Sequence, residues 1–357
     1  MKYQLLLAAL FAMGIFSVSC TKQAVFTNPY PDGDGFSTLT VNVRSGHAPA
    51  SRAIEAYVDE ADYEKAIKNL QILVFDKLNN LVAYKNCGTS TTGQSFTLPY
   101  GQMTVYAVAN GPDVSGVKKI SELTAVATDL SENSRTGGFI MIGSGTVNLN
   151  SASASVSVSV ARLVSRIALV SVTNNLPGSY ESVAVEIKNV FLANVVGGYS
   201  LGRARAGSVW YNQEARKDES PRVESHIIDG ATYLASVPEL TFAAKNLSID
   251  AASTTDFDSS PLLLYAYPNG STVDPSGFHS SFVEQKTAIV VSVLIGGQQY
   301  YYPVVMNSLE PNTAYTVALT LKALGSTEPG GTISKGSISA SITVAGWGKG
   351  ATYDETI

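Results

Sequence analysis

Few residues of this chain have the type and spacing that chemistry demands. There is no HExxH pair to grip zinc, no GxxxxGKS/T loop to cradle phosphate and no GxSxG elbow to present a nucleophilic serine. Gly143-Ser144-Gly145 lacks the elbow's spacing and reads as a turn at a strand end. Asp32-Gly33-Asp34-Gly35 resembles the start of a calcium loop. Counting from Asp32, however, the twelfth position is Val43, which has no oxygen to offer in place of a bidentate glutamate, so the stretch reads as a flexible linker. Asp256 and Asp258 would share one face of an extended segment. Carboxylates that hydrolyse glycosides normally converge from separate strands, which makes this pair a weak candidate. Three histidines (His47, His226, His279) are far apart, and two cysteines (Cys20, Cys87) are too few for a cysteine-rich zinc or iron–sulfur site. The reading is a protein that is not an enzyme, with no cofactor and no metal site.

The elements that must carry any function are strands. The chain has 357 residues, enough for two domains, and 45% of them are hydrophobic against 15% charged. That composition excludes wholesale disorder. Lys+Arg 24 against Asp+Glu 29 gives a net charge of −5, too acidic and too evenly mixed for a general nucleic-acid binder. Period-two alternation and β-rich apolar runs predict strands at Thr38–Arg44, Leu70–Phe75, Met103–Ala109, Ser151–Val160, Ile167–Val172, Val183–Leu192, Ala288–Ile295, Tyr300–Met306, Tyr315–Leu321 and Ser337–Val344. Gly296-Gly297 between two such runs is a hairpin signal. Short helices are expected within Glu60–Leu70 and Ser121–Leu130, the second capped by Ser121. Arg203–Glu224, with five Arg/Lys and four Glu/Asp, reads as an exposed loop. The fold class is all-β: two β-sandwich domains in tandem with short helical decorations.

The first twenty residues are an address. Lys2 and the apolar run Leu5–Phe16 form a secretory signal, too short to span hydrocarbon as a helix. Ser17, Val18 and Ser19 ahead of Cys20 resemble a bacterial lipobox, with Ser17 standing where Leu is usual. The alternative is an ordinary signal peptide with an incidental cysteine. A lipid on Cys20 would make the exported precursor an outer-membrane lipoprotein. It would also leave Cys87 as an odd thiol, expected to be a small buried hydrophobe.

Several segments together resemble the fimbrillins, the structural subunits of type V pili in Gram-negative anaerobes of the Bacteroides type. In order they are TLTVNVR (38–44), KNLQILVFD (68–76), QMTVYAVAN (102–110), SELTAVATDL with GGFIMIGSGTVNL (121–149), RLVSRIAL (162–169), YYYPVVMN (300–307), NTAYTVALTL (312–321) and ITVAGW (342–347). The resemblance implies transthyretin-like sandwiches and this division: signal peptide 1–19, lipidated propeptide with a removable strand 20–52, N-terminal domain 53–160, and C-terminal domain 161–357 with a donor tail at about 334–357. It implies that an arginine-specific protease removes the N-terminal strand and that a neighbour's C-terminal strand fills the groove. Arg52-Ala53 matches the cleavage position, with Arg44 the nearest alternative. The product would keep twenty Lys/Arg and 27 Asp/Glu, for a net charge of −7. The implied partners are other copies of the chain and minor fimbrial subunits, and the implied location is a cell-surface fimbrium used in adhesion.

The residues add an argument of their own. Leu39, Val41 and Val43 share one face of the head strand, and Ile338, Ala340, Ile342 and Val344 share one face of the tail. Either strand could present an apolar face to the same groove. A groove that has lost its strand is a template for any strand that fits, and a head-to-tail contact that does not close gives a filament. Thr327–Gly336 can serve as the hinge. Trp347 is out of phase with Val344. Either a bulge at Ala345-Gly346 restores it to the donor face, or it anchors the tail on its own domain. Two other readings stand beside the stalk subunit: an anchor or minor subunit of the same pilus, and a surface lipoprotein that binds glycans through exposed aromatic platforms.

Overall fold

The computed structural model describes residues 35–46, 60–207, 209–212, 228–229, 232–233, 238–257, 260–275, 284–328, 333–334, 336–347 and 354–356. Cys20, Arg52, Ala53, Asp258, the three histidines and the Asp32–Asp34 loop lie outside the described residues, as does most of Arg203–Glu224.

Eight strands occupy the first half: β1 (Phe36–Ser45), β2 (Leu70–Phe75), β3 (Leu81–Gly88), β4 (Gln94–Pro99), β5 (Gly101–Ala109), β6 (Ala127–Asp129), β7 (Met141–Leu149) and β8 (Ser153–Arg162). All but β6 form one seven-stranded sheet in the order β3-β2-β5-β7-β8-β1-β4. Leu39, Val41, Leu70, Ile72, Val74, Phe96, Met103, Val105 and Val158 make a core from this sheet alone. A sheet can do that only by curling, and its end strands β3 and β4 do touch.

The second half holds β9 (Ser165–Asn174), β10 (Val185–Ala193), β11 (Val195–Val196), β12 (Gly198–Ser200), β13 (Trp210–Tyr211), β14 (Ile228–Asp229), β15 (Thr232–Tyr233), β16 (Phe242–Ile249), β17 (Thr254–Asp256), β18 (Leu262–Ala266), β19 (Ala288–Ile295), β20 (Gln298–Val305), β21 (Thr313–Leu321), β22 (Ile338–Gly346) and β23 (Asp354–Thr356). One sheet runs β16-β10-β19-β20; the other runs β17-β9-β21-β22-β23, with β18 also on β9. Val185, Ile187, Val190, Val291 and Val293 from the first share a core with Ile167, Leu169, Val317, Leu319 and Ile342 from the second. Leu73, Phe75 and Val108 from the seven-stranded sheet join that same core. β2 is therefore buried on both faces, which is why Leu70–Phe75 reads as a continuous apolar run. The halves meet through packed side chains.

Gly296 (φ 58°) and Gly297 (φ 83°) turn the β19–β20 hairpin, as a primed turn requires. The expected helices are cut short. Glu60–Leu70 keeps one turn, α1 (Asp62–Lys65). The Asn110 side chain then holds the chain extended: its Oδ1 accepts from the Lys68 and Asn69 amides at 2.7 and 3.2 Å, and its Nδ2 donates to Ala66 O at 2.8 Å. Ser121–Leu130 keeps α2 (Ile120–Ala125), and Ser121 lies inside it rather than at its cap. The rest becomes β6 because β12 offers it a ladder. Gly143-Ser144-Gly145 is not a turn. It sits mid-strand in β7, where a Cβ on Gly143 would lie 2.1 Å from Ser159 O of β8.

Cys87 on β3 is half-buried rather than core, and burial pushes its thiol up to about 11. Two outcomes follow. Gly143→Val should destabilise the fold by roughly 1–3 kcal/mol, the usual cost of overpacking, read as a lowered urea midpoint; an unchanged midpoint would show that β7 and β8 can separate freely. Alkylation of Cys87 should speed up about tenfold per pH unit as the pH rises towards about 11, whereas a rate already level at pH 9 would contradict its burial.

Candidate functional site

The head strand occupies an interior slot. β1 pairs in parallel with β8, from Thr38↔Ser153 to Ser45↔Val160, and antiparallel with β4, from Phe36↔Pro99 to Val41↔Gln94. Its alternation does what period two dictates. Ser37 (0% exposed), Leu39 (0%), Val41 (0%) and Val43 (5%) point into the core. Thr38, Thr40, Asn42 and Arg44 line the opposite face, where Arg44 Nε donates to Ser159 Oγ at 2.8 Å. Among the named strands β4 pairs with β1 alone, so taking β1 away opens a groove between β8 and β4.

The tail is at home in its own chain. β22 pairs with β21 from Leu321↔Ile338 to Thr313↔Gly346 with no register shift. Ala340 and Ile342 are buried, while Ile338 and Val344 are half-buried against the same core. An unbroken register leaves no bulge at Ala345-Gly346, and Trp347 is anchored within its own chain. It is fully buried, its ring stacked on Tyr265 at 5.9 Å and edge-on to Phe139 at 6.1 Å. The Arg162 and Arg166 guanidinium carbons stand 4.3 and 5.3 Å from the centre of that ring, within cation–π range. Asn312 clamps the same residue through its backbone: Trp347 N donates to Asn312 O at 2.9 Å, and Asn312 Nδ2 donates to Trp347 O at 3.3 Å. Deleting everything after Gly336 would therefore strip β21 of a partner and the core of Ala340, Ile342 and Trp347.

The two arginines tie the tail to Glu60 and Glu64. Arg166 Nη1 pairs with Glu64 Oε2 at 3.0 Å, with both side chains buried. Glu64 Oε2 also accepts from the Ala61 amide at 2.7 Å, and Glu64 Oε1 accepts from Tyr265 OH at 2.7 Å. Burial, with the Glu64 charge next, raises Tyr265 far above the ordinary phenol range and keeps it a donor. Arg162 Nε donates to Glu64 O at 2.6 Å, and its Nη2 meets Glu60. Nothing in the sequence marked this cluster, because short-range charge spacing in Glu60–Lys65 looks like any solvated helix face.

Other candidates do not converge. Asp256 is exposed on β17, and no group of three or more His, Cys, Asp or Glu suited to a metal exists among the described residues. A cleft of about 550 Å³ is lined by Tyr199, Arg205, Asn269, Lys286 and Glu310. Its cations are engaged, Arg205 with Glu284 and Lys286 with Asp274. Arg205 belongs to the described part of the polar stretch, residues 203–207 and 209–212, and lies over the Trp210 ring at 5.6 Å; Trp210 and Tyr211 are buried in β13, so that part is not all exposed loop.

Residues 37–195 match the family model described as major fimbrial subunit protein (FimA). No curated protein matches the chain. A candidate cell adhesion protein of Parabacteroides distasonis superposes with a TM-score of 0.60 at 17% identity, over 89% of this chain and 99% of its own. A candidate cell adhesion protein of Bacteroides eggerthii gives 0.58 at 21% identity, over 87% and 96%. A fimbrilin of Porphyromonas gingivalis gives 0.56 at 15% identity, over 87% and 97%. Residues 37–195 are thus similar to the major fimbrial subunit family, and the chain as a whole shares the fold of that fimbrilin.

Proposed function

We propose that this chain is a stalk subunit of a type V pilus, made as an exported lipoprotein precursor held by Cys20, and that it polymerises by strand exchange to serve adhesion. The observation that carries the reading is the slot of β1. The first described strand of the chain lies inside a sheet, yet a single connector, residues 47–59, joins it to everything that follows. Arg52 is in that connector. One cut there turns an interior strand into a peptide held only by pairing and packing. Burial of Leu39, Val41 and Val43 supplies roughly 5–9 kcal/mol at ~1.5–3 each, before the entropy of ordering the strand is set against it. A neighbour's tail in the same phase would offer Ile338, Ala340, Ile342 and Val344 to those sites and turn Ser339, Ser341 and Thr343 outward, where β1 turns Thr38, Thr40 and Asn42. Trp347, in this reading, holds the tail at home until exchange.

Arg44 is the less favoured protease site. Proteases bind extended, unpaired backbone, and Arg44 lies within the β1–β8 ladder. An arginine-specific protease would therefore reach Arg44 only after local opening. The glycan-binding alternative fares worse. Both tryptophans are buried, and the exposed large hydrophobics among the described residues are Phe36, Leu78 and Val273, which build no aromatic platform. Possession of a complete tail strand favours a stalk subunit over a tip, which has no need to donate.

Limited trypsin treatment of the precursor should yield a stable core starting at Ala53 and then multimers that survive mild detergent. A trimmed core that stays monomeric would contradict the proposal. Arg52→Ala, with Arg44 intact, should cut multimer yield at least tenfold in the same assay, as expected if the cut at Arg52 is the one that frees the head strand. Undiminished yield would transfer the cleavage to Arg44.

A further inference from the structure

We propose that Ser37 weakens the head strand by design of the sequence, so that the tail of another copy is the better occupant of the slot. The inference rests on the strand-exchange reading above for its consequence, but not for its premise. Ser37 is 0% exposed, on the inward face of β1 with Leu39, Val41 and Val43, and across the ladder from Leu98. Its Oγ has no hydrogen-bond partner among the described residues. Outside the ion-paired cluster already described, the other buried side-chain atom in that condition among the described residues is Trp347 Nε1. The two sit one on the head strand and one at the end of the tail strand, the two segments that exchange would move.

A buried hydroxyl without a partner loses its water and gains nothing in return. The tail removes that penalty in every in-phase register. The even-numbered positions from Gly336 to Gly346 are Gly336, Ile338, Ala340, Ile342, Val344 and Gly346. None carries a polar side-chain atom, so whichever of them takes the Ser37 site leaves no orphan. This holds for parallel or antiparallel insertion, because the period is two in both. On leaving home, Trp347 would also recover water for its indole N–H. Exchange therefore relaxes one unsatisfied group in the acceptor and one in the donor, which biases its direction.

The test uses the full-length precursor, its Ser37→Ala variant and a Thr38→Ala control on the exposed face. The urea midpoint of each uncut protein is measured first. Each is then cut with trypsin, and a synthetic peptide of residues 336–347 is added to displace the head fragment, followed by chromatography. Ser37→Ala should raise the midpoint and slow displacement about tenfold, which corresponds to about 1.4 kcal/mol; Thr38→Ala should change neither. A midpoint that is unchanged or lowered in Ser37→Ala overturns the role of Ser37, whatever the exchange assay gives. Failure of the peptide to displace the wild-type head fragment would overturn the exchange reading instead, with the midpoint still deciding whether Ser37 weakens the strand.

Discussion

The structure depends on one constraint: a sheet that curls around its own core cannot lose an interior strand and stay complete. β1 bridges β8 and β4, and its three aliphatic side chains fill the middle of the core they share. Removing such a strand leaves unpaired amides and carbonyls on both sides and apolar pockets between them. Backbone groups in that state must find partners, and water cannot fill the pockets without cost. On the proposed reading, the empty site would accept a strand of the same period, such as the tail strand β22.

The second constraint works against the first. The tail strand is well placed where it is, with a full ladder to β21 and Trp347 set among Tyr265, Phe139 and two arginines. Those arginines also grip Glu60 and Glu64, just beyond the connector. A buried, hydrogen-bonded ion pair costs most when one partner is removed, so this junction resists piecemeal disruption. The end of the tail and the segment Glu60–Glu64 are thus held by the same two residues, Arg162 and Arg166.

Much of the fold was legible in the sequence, for physical reasons. Leu70–Phe75 and Ala288–Ile295 coincide with observed strands because β-branched runs buried on both faces carry their own signal. The face of β1 was readable from alternation alone. β3, β4 and β16 were not predicted: Tyr84-Lys85-Asn86, Ser95-Phe96-Thr97 and Lys245-Asn246 interrupt any apolar pattern, and the first two strands lie at the ends of their sheet. The helix over Ser121–Leu130 failed because β12, some seventy residues away, offers Ala127–Asp129 a ladder. Gly143 misled because glycine marks a close backbone approach as readily as a turn. Ser37 and the Glu64–Arg166 pair were invisible, since burial of a polar residue is decided by partners far along the chain.

The most direct measurement mixes trimmed subunits with uncut precursor after the protease has been inhibited. On the proposed reading, an uncut copy has a filled slot and a tail that can still leave home, so it can donate but not accept. Multimers should shorten as the uncut fraction rises, and each should carry a single uncut copy at one end. Multimer lengths indifferent to uncut precursor, or multimers formed as readily from uncut chains alone, would contradict the account.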